Sequence, residues 1–449
     1  MIRQAAYRRR WRPSRYGLAA IIGIAVVGAV VLSSVVSFAV GPVPARATLF
    51  GLPAIALVAA STVSFIRALH DHESGERRRE LGRAAVLLAV GMFCWLIVLD
   101  VYLFASDAGP AVAAACALAC APTTAAGLLV VRRLDRNEKE PWRLVLIATA
   151  WGAIVSTSLV VWAEGLWDGL FTVNLVPGPA ADASAAYSAG VFEELAKGTA
   201  VLLLYLVMRD ELDDVVDGIV YGAAVGLGFN FMESVAYMTH VYATLSPEGY
   251  GVQWAAAQWY FRQVLGLFLG HATYTALIGA GIGVARQLPR LRQRVLAIAC
   301  GFLVAVAAHF AWDAWQALVQ VGPTPLQLLL LHARYVLMVG PFTAVLLILV
   351  AMGLQREGTA LARHLRAEAS SGLGAVLPSE VDMLMSPWQR LRARLAALGA
   401  AGPAAYVRAA RLQTAQMHLA MEQWHRERHE IDEPLAAEEA LRQRVLELR

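Results

Sequence analysis

The sequence predicts an all-α polytopic membrane protein. Of its 449 residues, 58% are hydrophobic and only 16% are charged, and the mean hydropathy is +0.54. Ordinary soluble domains are about 45–50% apolar and about 25% charged. The apolar residues fall in runs of about 20, the length at which a helix crosses a bilayer. No segment alternates in the way a membrane β-strand would.

Ten of these runs are candidate transmembrane helices. The first is too long, and is followed by too many further runs, to be a cleaved signal peptide. The four cysteines lie in apolar runs without a nearby histidine, which favours packing residues over a zinc site. The predicted spans are roughly 17–40, 47–69, 84–106, 109–131, 143–163, 185–208, 215–239, 259–285, 295–320 and 327–353.

The positions of the basic residues favour one orientation. Basic clusters occupy the N-terminal tail and the second, fourth and eighth loops, which share one side of the membrane if ten helices cross it. Since basic loops stay in the cytoplasm, we expect a multi-pass protein of the cell membrane with both termini cytoplasmic. The clusters are Arg3, Arg8, Arg9, Arg10, Arg12 and Arg15; Arg77, Arg78, Arg79 and Arg83; Arg132, Arg133, Arg136 and Lys139; and Arg286, Arg290, Arg292 and Arg294.

Composition divides the chain into three predicted regions. Residues 1–16 form a basic cytoplasmic tail, 17–353 form the polytopic transmembrane region, and 354–449 form a cytoplasmic helical tail. The last region contains the helical patches "SPWQRLRARLAALG" and "AAYVRAARLQTAQMHLAMEQWHRER", with breaks at Gly402-Pro403 and near Pro434. Its arginines and acids nearly balance, so it lacks a strong polybasic lipid signature. We expect it to pack on itself or on the membrane surface.

Ionisable residues inside the predicted spans indicate a reactive site. A charge at the centre of a spanning helix costs roughly 2.5–3.5 kcal/mol, so such groups persist when they face one another, a metal or trapped water. We therefore predict that spans six to nine form a catalytic bundle. The motifs within 191–313 are "VFEELAKG" with Glu193, Glu194 and Lys197, "GFNFMESVAY" with Glu233, "FLGHATYT" with His271, and "AHFAWDAW" with His309 and Asp313.

The spacing of these residues favours particular pairs. Lys197 follows Glu193 by four positions and Glu194 by three, so it shares a helix face with both and can pair with either. One glutamate is then a candidate general base, although a purely structural ion pair is an equal alternative. His309 and Asp313 are also four apart. A carboxylate that orients an imidazole is common for metal ligands and for acid–base histidines.

The order of the motifs resembles the PrsW family of glutamic-type intramembrane proteases, which is distantly similar to the type II CAAX-prenyl proteases. The order is E-E-x-x-K, then F-x-x-x-E, then a histidine on the next helix, then H-x-x-W-D. The flanking sequences "DRNEKEPW", "DGIVYGAAVGLGF" and "GHATYTALIGAGIG" fit as well. The likeness extends from about Arg132 to Gly353. It maps Glu193, Glu194 and Glu233 to the family's glutamates, and His271 and His309 to its histidines.

Two positions depart from the common pattern. Ser234 follows Glu233 where Asn is frequent, and Asp313 stands where the CAAX relatives tend to have Asn. An ionised Asp cannot donate a hydrogen bond, so the role of a neutral oxyanion donor does not carry over to Asp313.

The resemblance implies hydrolysis of peptide bonds in or near the membrane. The implied substrates are membrane-anchored proteins such as anti-sigma-factor-like regulators, with no nucleic-acid partner. Glu193 or Glu194 would activate water, and His271 or His309 would hold that water or polarise the carbonyl. Zinc stays open: His271, His309 and Glu233 would make a three-ligand site, but the H-E-x-x-H signature is absent. The sequence sets no oligomeric state.

Two other functional classes were weighed. A proton- or ion-coupled transporter also buries carboxylates and histidines, but it predicts repeat symmetry and broken helices, which the sequence does not display. A scaffold without catalytic activity would not need so many buried acids. Asp100, a lone acid in the third span, is expected to be structural. Counting residues from the helix ends places the predicted site at or above the midplane on the extracytoplasmic side, so we expect cleavage there.

Overall fold

The computed structural model describes residues 45–70, 74–136, 139–167, 179–208, 211–318, 325–427 and 435–449, together with eight residues between 18 and 29. Over these residues the regular structure is helical and no strand occurs. The predicted all-α polytopic fold is therefore confirmed. The first predicted span, 17–40, lies largely outside the described residues.

The first helices agree with the predicted spans. Helices α1 (Ala45–His70), α2 (Ser74–Ala108) and α3 (Pro110–Arg132) are the second, third and fourth spans. The fifth is α4 (Trp142–Ala150) continued by α5 (Thr157–Trp167) through a π-helical turn, Trp151–Ser156. Next come α6 (Pro179–Val207), α7 (Val215–Leu245), α8 (Gly251–Trp259), the π-helical turn Tyr260–Leu265, α9 (His271–Gln287), α10 (Leu291–Leu318), α11 (Pro325–Arg334), the π-helical turn Tyr335–Val339 and α12 (Gly340–Ser370).

Helix α7 is the centre of the bundle, and glycines allow its neighbours to approach closely. A Cβ at Gly222 would lie 2.4 Å from the carbonyl oxygen of Thr275, and one at Gly226 would lie 2.3 Å from that of His271. Gly228 faces Thr149 of α4 in the same way, at 2.0 Å. Backbone contact of this kind requires the small residues that membrane helices use for packing. It brings the first turn of α9 directly against α7.

The eighth predicted span, 259–285, is not one continuous helix. Helix α8 and its π-helical extension end at Leu265, residues 266–270 are non-helical, and α9 begins at His271. A Cβ at Gly270 would lie 2.9 Å from the carbonyl oxygen of Gly266. The prediction of a continuous helix was wrong because hydropathy reports composition and not the path of the backbone. His271 therefore occupies a helix start beside an irregular segment.

Within the described residues, six helical stretches are long and apolar enough to cross a membrane. Helix α6, which carries four charged residues, and α9, which has 17 residues, are not among the six, although both pack beside α7. The chain is thus a multi-pass membrane protein, and the count of ten spans stays a prediction. The six stretches are Arg79–Ala108, Pro110–Arg132, Trp142–Glu164, Val215–Leu245, Leu291–Trp315 and Leu329–Ser370.

The polar C-terminal region is a packed helical unit. Helix α12 continues through Gly353, so the predicted boundary between 353 and 354 is not a helix end. A short 3-10 turn (Pro378–Glu380) and α13 (Val381–Met385) lead into α14 (Pro387–Glu427) and α15 (Leu435–Leu448). Helix α14 is interrupted at Ala401 and Gly402, where Gly402 has φ 78°, which is the predicted break. Leu361 and Leu365 of α12 pack against Trp424 of α14. Pro434 lies outside the described residues.

Candidate active site

Helix α6 carries a completely buried lysine between two glutamates. Lys197 Nζ lies 2.6 Å from Glu194 Oε1 and 3.1 Å from Glu193 Oε2. The ammonium also lies 4.3 Å from the centre of the Phe229 ring on α7. The predicted pairing of Lys197 with either glutamate is thus realised with both at once. One cation compensates two carboxylates inside the bundle.

Glu194 points into the protein and fixes its neighbours. Its side chain is fully buried. Oε1 lies 3.0 Å from His309 Nδ1, and Oε2 accepts a hydrogen bond from the Thr275 hydroxyl at 3.3 Å. Glu194 therefore joins α6 to α9 and α10. A carboxylate that contacts Nδ1 sets the orientation of an imidazole ring and leaves Nε2 available to contact another group.

His271 bridges Lys197 and the third glutamate. Its Nδ1 lies 3.0 Å from Lys197 Nζ, and its Nε2 lies 2.5 Å from Glu233 Oε2. An ammonium group only donates hydrogen bonds, so Nδ1 accepts when Lys197 is charged. Nε2 then carries the ring proton and donates a hydrogen bond to Glu233. The two contacts together specify one tautomer of the neutral ring.

Glu233 is held by an arginine that the sequence reasoning missed. Arg262 donates two hydrogen bonds to its carboxylate, at 3.0 and 3.1 Å. The guanidinium also stacks on Tyr237 at 3.8 Å. Arg262 lies in the π-helical turn Tyr260–Leu265, and such turns are frequent at functional sites. A charged residue inside the predicted eighth span was the available signal.

His309, whose Nδ1 faces Glu194, also lies beside two further carboxylates and an aromatic ring. Its Nε2 is 3.4 Å from Asp313 Oδ2 and 3.7 Å from Glu193 Oε2. Tyr274 of α9 stacks on the imidazole with ring centres 4.8 Å apart. The Tyr274 hydroxyl is buried and has no hydrogen-bond partner among the described residues. The sequence reasoning also missed Tyr274, which looks like an ordinary core aromatic of an apolar helix.

These groups meet at a cavity of about 690 Å³. Glu193, Glu233, His271, His309 and Asp313 line it, whereas Glu194 and Lys197 lie behind the wall. Glu164, Ser188, Tyr237 and Gln258 also line the cavity. All seven residues singled out in the sequence therefore belong to one cluster, and five of them face the same space.

Comparison with known proteins identifies the family. Residues 140–351 match the family described as PrsW family intramembrane metalloprotease. Protease PrsW of Geobacillus kaustophilus (strain HTA426) is 30% identical over 184 residues, which cover 40% of this chain and 69% of that protein. The chain belongs to the PrsW family. It is accordingly a membrane-embedded protease that acts on protein substrates. No solved structure matches the chain.

The family is described as a metalloprotease, so the residues of the site can be compared with the ligands that a metal ion requires. Glu193, Glu194, His271 and His309 offer ligand atoms that all lie within 4.8 Å of one another. Zinc ligands of these types lie at about 2.0–2.2 Å from the ion. However, Lys197 Nζ is already within 2.6–3.1 Å of Glu194, Glu193 and His271. An ammonium and a dication would compete for the same space and repel each other, so the residues as arranged do not fit a metal.

The sequence-based metal set also differs from the grouping that the structure contains. It included Glu233 with the two histidines, but Glu233 is not one of the four grouped ligands. The Glu233 carboxylate is occupied by the two hydrogen bonds from Arg262 and by His271.

Asp100 lies apart from this PrsW site. It is buried on α2, accepts a hydrogen bond from Ser158 of α5 at 2.9 Å, and does not line the cavity. Its partner is thus on the fifth predicted span. The contact agrees with the expectation that Asp100 is a structural polar residue.

Proposed function

We propose that this protease cleaves single-span, membrane-anchored proteins with water that Glu193 activates beside the two histidines, without a metal ion. The observation that carries the proposal is the position of Glu193. It is the one of the paired glutamates that lines the cavity, and its Oε2 lies 3.5 Å from His271 Nδ1 and 3.7 Å from His309 Nε2.

Glu193 acts as the general base. A base must lie within hydrogen-bond reach of the water that it deprotonates, and the cavity offers space for water beside this carboxylate. Glu194 is unsuited to the task because Lys197, His309 and Thr275 already occupy its two oxygens. Glu194 is therefore a positioning residue for His309. The choice between the two glutamates, open in the sequence, is assigned on this basis.

His309 and Tyr274 stabilise the oxyanion. Both nitrogens of His309 face carboxylate oxygens, an arrangement that suits the doubly protonated ring, which donates from both sides. The Tyr274 hydroxyl is a buried donor without a protein partner beside the same ring. Two donors aimed at developing negative charge stabilise the tetrahedral intermediate of acyl transfer. Tyr274 thereby supplies the donor that Asp313 cannot.

Two further carboxylates, Glu233 and Asp313, contact the histidines, and Arg262 balances the charge of Glu233. Glu233 accepts from His271 Nε2 and is neutralised by Arg262. Asp313 lies on the Nε2 side of His309. After attack, the proton taken by Glu193 passes to the leaving amine, so that the base acts as the acid in the second half of the reaction.

The substrate class is membrane-anchored regulators of the anti-sigma-factor type, and the cut lies at the extracytoplasmic end of the substrate's span. The resemblance to PrsW proteases supports the first part. The position of the cut is inferred from depth. Glu233 is 18 positions after Val215, or roughly 27 Å along α7 at about 1.5 Å per residue, which is close to the extracytoplasmic side in the predicted orientation. The proposal includes a cell-membrane location with both termini in the cytoplasm, as the basic loops indicate.

The experiment is cleavage of a panel of single-span proteins by the purified protein in liposomes. Wild-type protein should cut at least one member, and Glu193→Gln should cut none. The carrier alternative has one feature in its favour, the non-helical residues 266–270 beside the cavity. It predicts dissipation of an ion or pH gradient across the same liposomes. Flux without cleavage would overturn the protease proposal.

A further inference from the structure

The first half of α14 has an exposed apolar stripe. Trp388, Leu391, Leu395 and Leu398 are 66%, 36%, 49% and 39% exposed. Their spacing of three, four and three positions puts them on one face of the helix. Arg390 is buried, and Arg394 Nε donates to Gln413 in the second half of α14 at 2.6 Å, so the side of the helix that carries these two arginines packs against the protein. The stripe therefore points away from the protein.

The same helix is tied to the connection between two membrane-crossing helices. Arg390 Nη2 donates to the carbonyl oxygen of Arg136 at 2.9 Å. Helix α3 ends at Arg132 and α4 begins at Trp142, and both are candidate spans, so this connection lies at a membrane boundary. The guanidinium of Arg132 stacks over Trp142 at 4.7 Å, and tryptophan is enriched at that depth.

A group of cations surrounds this attachment. Burial lowers the pKa of Lys139, and the neighbouring Arg132, Arg394, Arg133 and Arg390 lower it further. Burial and Arg394 likewise lower the pKa of Arg390, against the opposing effect of Glu357. Three of these arginines each donate a hydrogen bond to a neutral oxygen: Arg132 to the Glu140 carbonyl, Arg390 to the Arg136 carbonyl and Arg394 to Gln413. Positive charge is concentrated here beside the apolar stripe.

We propose that residues 387–400 form an interfacial helix, which inserts Trp388, Leu391, Leu395 and Leu398 into the adjacent leaflet while the neighbouring cations bind the phosphates of anionic lipids. An apolar face bordered by basic residues is the pattern of helices that lie in the headgroup region. A second copy of the chain is a poorer occupant, since a two-fold contact on this stripe would bring the same cations together.

The overall charge balance of the C-terminal region hides this patch. Acids elsewhere in the region are paired: Arg442 contacts Glu368, Glu438 and Glu439, and Arg426 contacts Glu438. Residues 387–400 contain Arg390, Arg392 and Arg394 and no acid. The composition of residues 354–449 therefore averages this cationic segment with acids that lie elsewhere in the region, and the folded chain separates the two.

The test places an environment-sensitive dye at Leu395→Cys in the full chain, in nanodiscs that hold one copy. Thr414→Cys, an exposed position in the second half of α14, is the matched control. Labelling of the four native cysteines is measured on unsubstituted protein and subtracted. With phosphatidylglycerol in the disc, emission at position 395 should shift to the blue, and emission at position 414 should not. Replacing the exposed Arg392 by Gln should lower the affinity for anionic lipid about fivefold.

Two outcomes would overturn the proposal. Emission at position 395 that equals that at position 414 in every lipid mixture would mean that the stripe faces water. A blue shift that needs two copies in a disc, and does not depend on phosphatidylglycerol, would assign the stripe to contact between copies.

Discussion

The ammonium of Lys197 lies 2.6 Å from a carboxylate oxygen of Glu194, and both side chains are fully buried. Lys197 supplies a positive charge behind the wall of the cavity that compensates the two glutamates, while Glu193 lines the cavity. A buried pair of this kind is strongly coupled: removing one partner leaves an uncompensated charge in the bundle.

The first prediction follows from that pair. Lys197→Met removes the ammonium that Glu193 and Glu194 share, and it should lower the free energy of unfolding by about 3–5 kcal/mol. The double variant Lys197→Met/Glu194→Gln removes both charges and should recover much of the loss. Unfolding in mixed micelles measures both. A single variant as stable as wild type would show that the pair is not the main compensation.

The second prediction concerns Tyr274. Tyr274→Phe deletes a hydroxyl without a protein partner, so the fold should be retained. If the hydroxyl stabilises the oxyanion, kcat should fall about 10²–10³-fold while KM changes little. Tyr335→Phe, at another phenol that lines the cavity, serves as the control. Equal activity of Tyr274→Phe and wild type would remove Tyr274 from the mechanism.

The third prediction is that the site residues act as a unit. Glu193→Gln, Glu233→Gln and His271→Ala should each abolish nearly all turnover, and pairwise combinations should be hardly worse than the single changes. Turnover and the amount of inserted protein are measured for all six variants. Losses that multiply, or full activity in two of the single variants, would contradict a common site.

The fourth prediction concerns metal. Because Lys197 Nζ lies within 3.1 Å of three of the four grouped ligand residues, activity should survive treatment with a chelator. Metal analysis should then find less than one ion per chain. Loss of activity that added zinc restores would contradict this, and it would require Lys197 to move or to lose its proton on metal binding.

Much of the site was predictable from the sequence. Ionisable groups in apolar spans are costly, so Glu193, Glu194, Lys197, His271 and His309 had to meet, and they do. Spacing alone could not separate the roles of Glu193 and Glu194, because it does not show which of two adjacent side chains on a helix faces the cavity. That difference comes from the packing of α6 against α9 and α10.

Other features carried weaker signals. The break at 266–270 is invisible to a hydropathy scan, which sums side chains over a window. Arg262 lies within the predicted eighth span but outside the four motifs that carry the predicted site. Tyr274 has the same apolar ring as a core residue, and its unpartnered hydroxyl can be recognised only once its neighbours are known.

The central claim is that Glu193 activates water in a buried site, and one comparison tests it most directly. Glu193→Gln and Asp100→Asn each neutralise a buried acid with an almost isosteric amide, but only Glu193 lines the cavity. Both are inserted into liposomes with a single-span substrate that wild-type protein cuts, and the new termini are mapped by mass spectrometry. We expect no product from Glu193→Gln and near wild-type product from Asp100→Asn, cut at the extracytoplasmic end of the span. Cleavage by Glu193→Gln at a wild-type rate would contradict it.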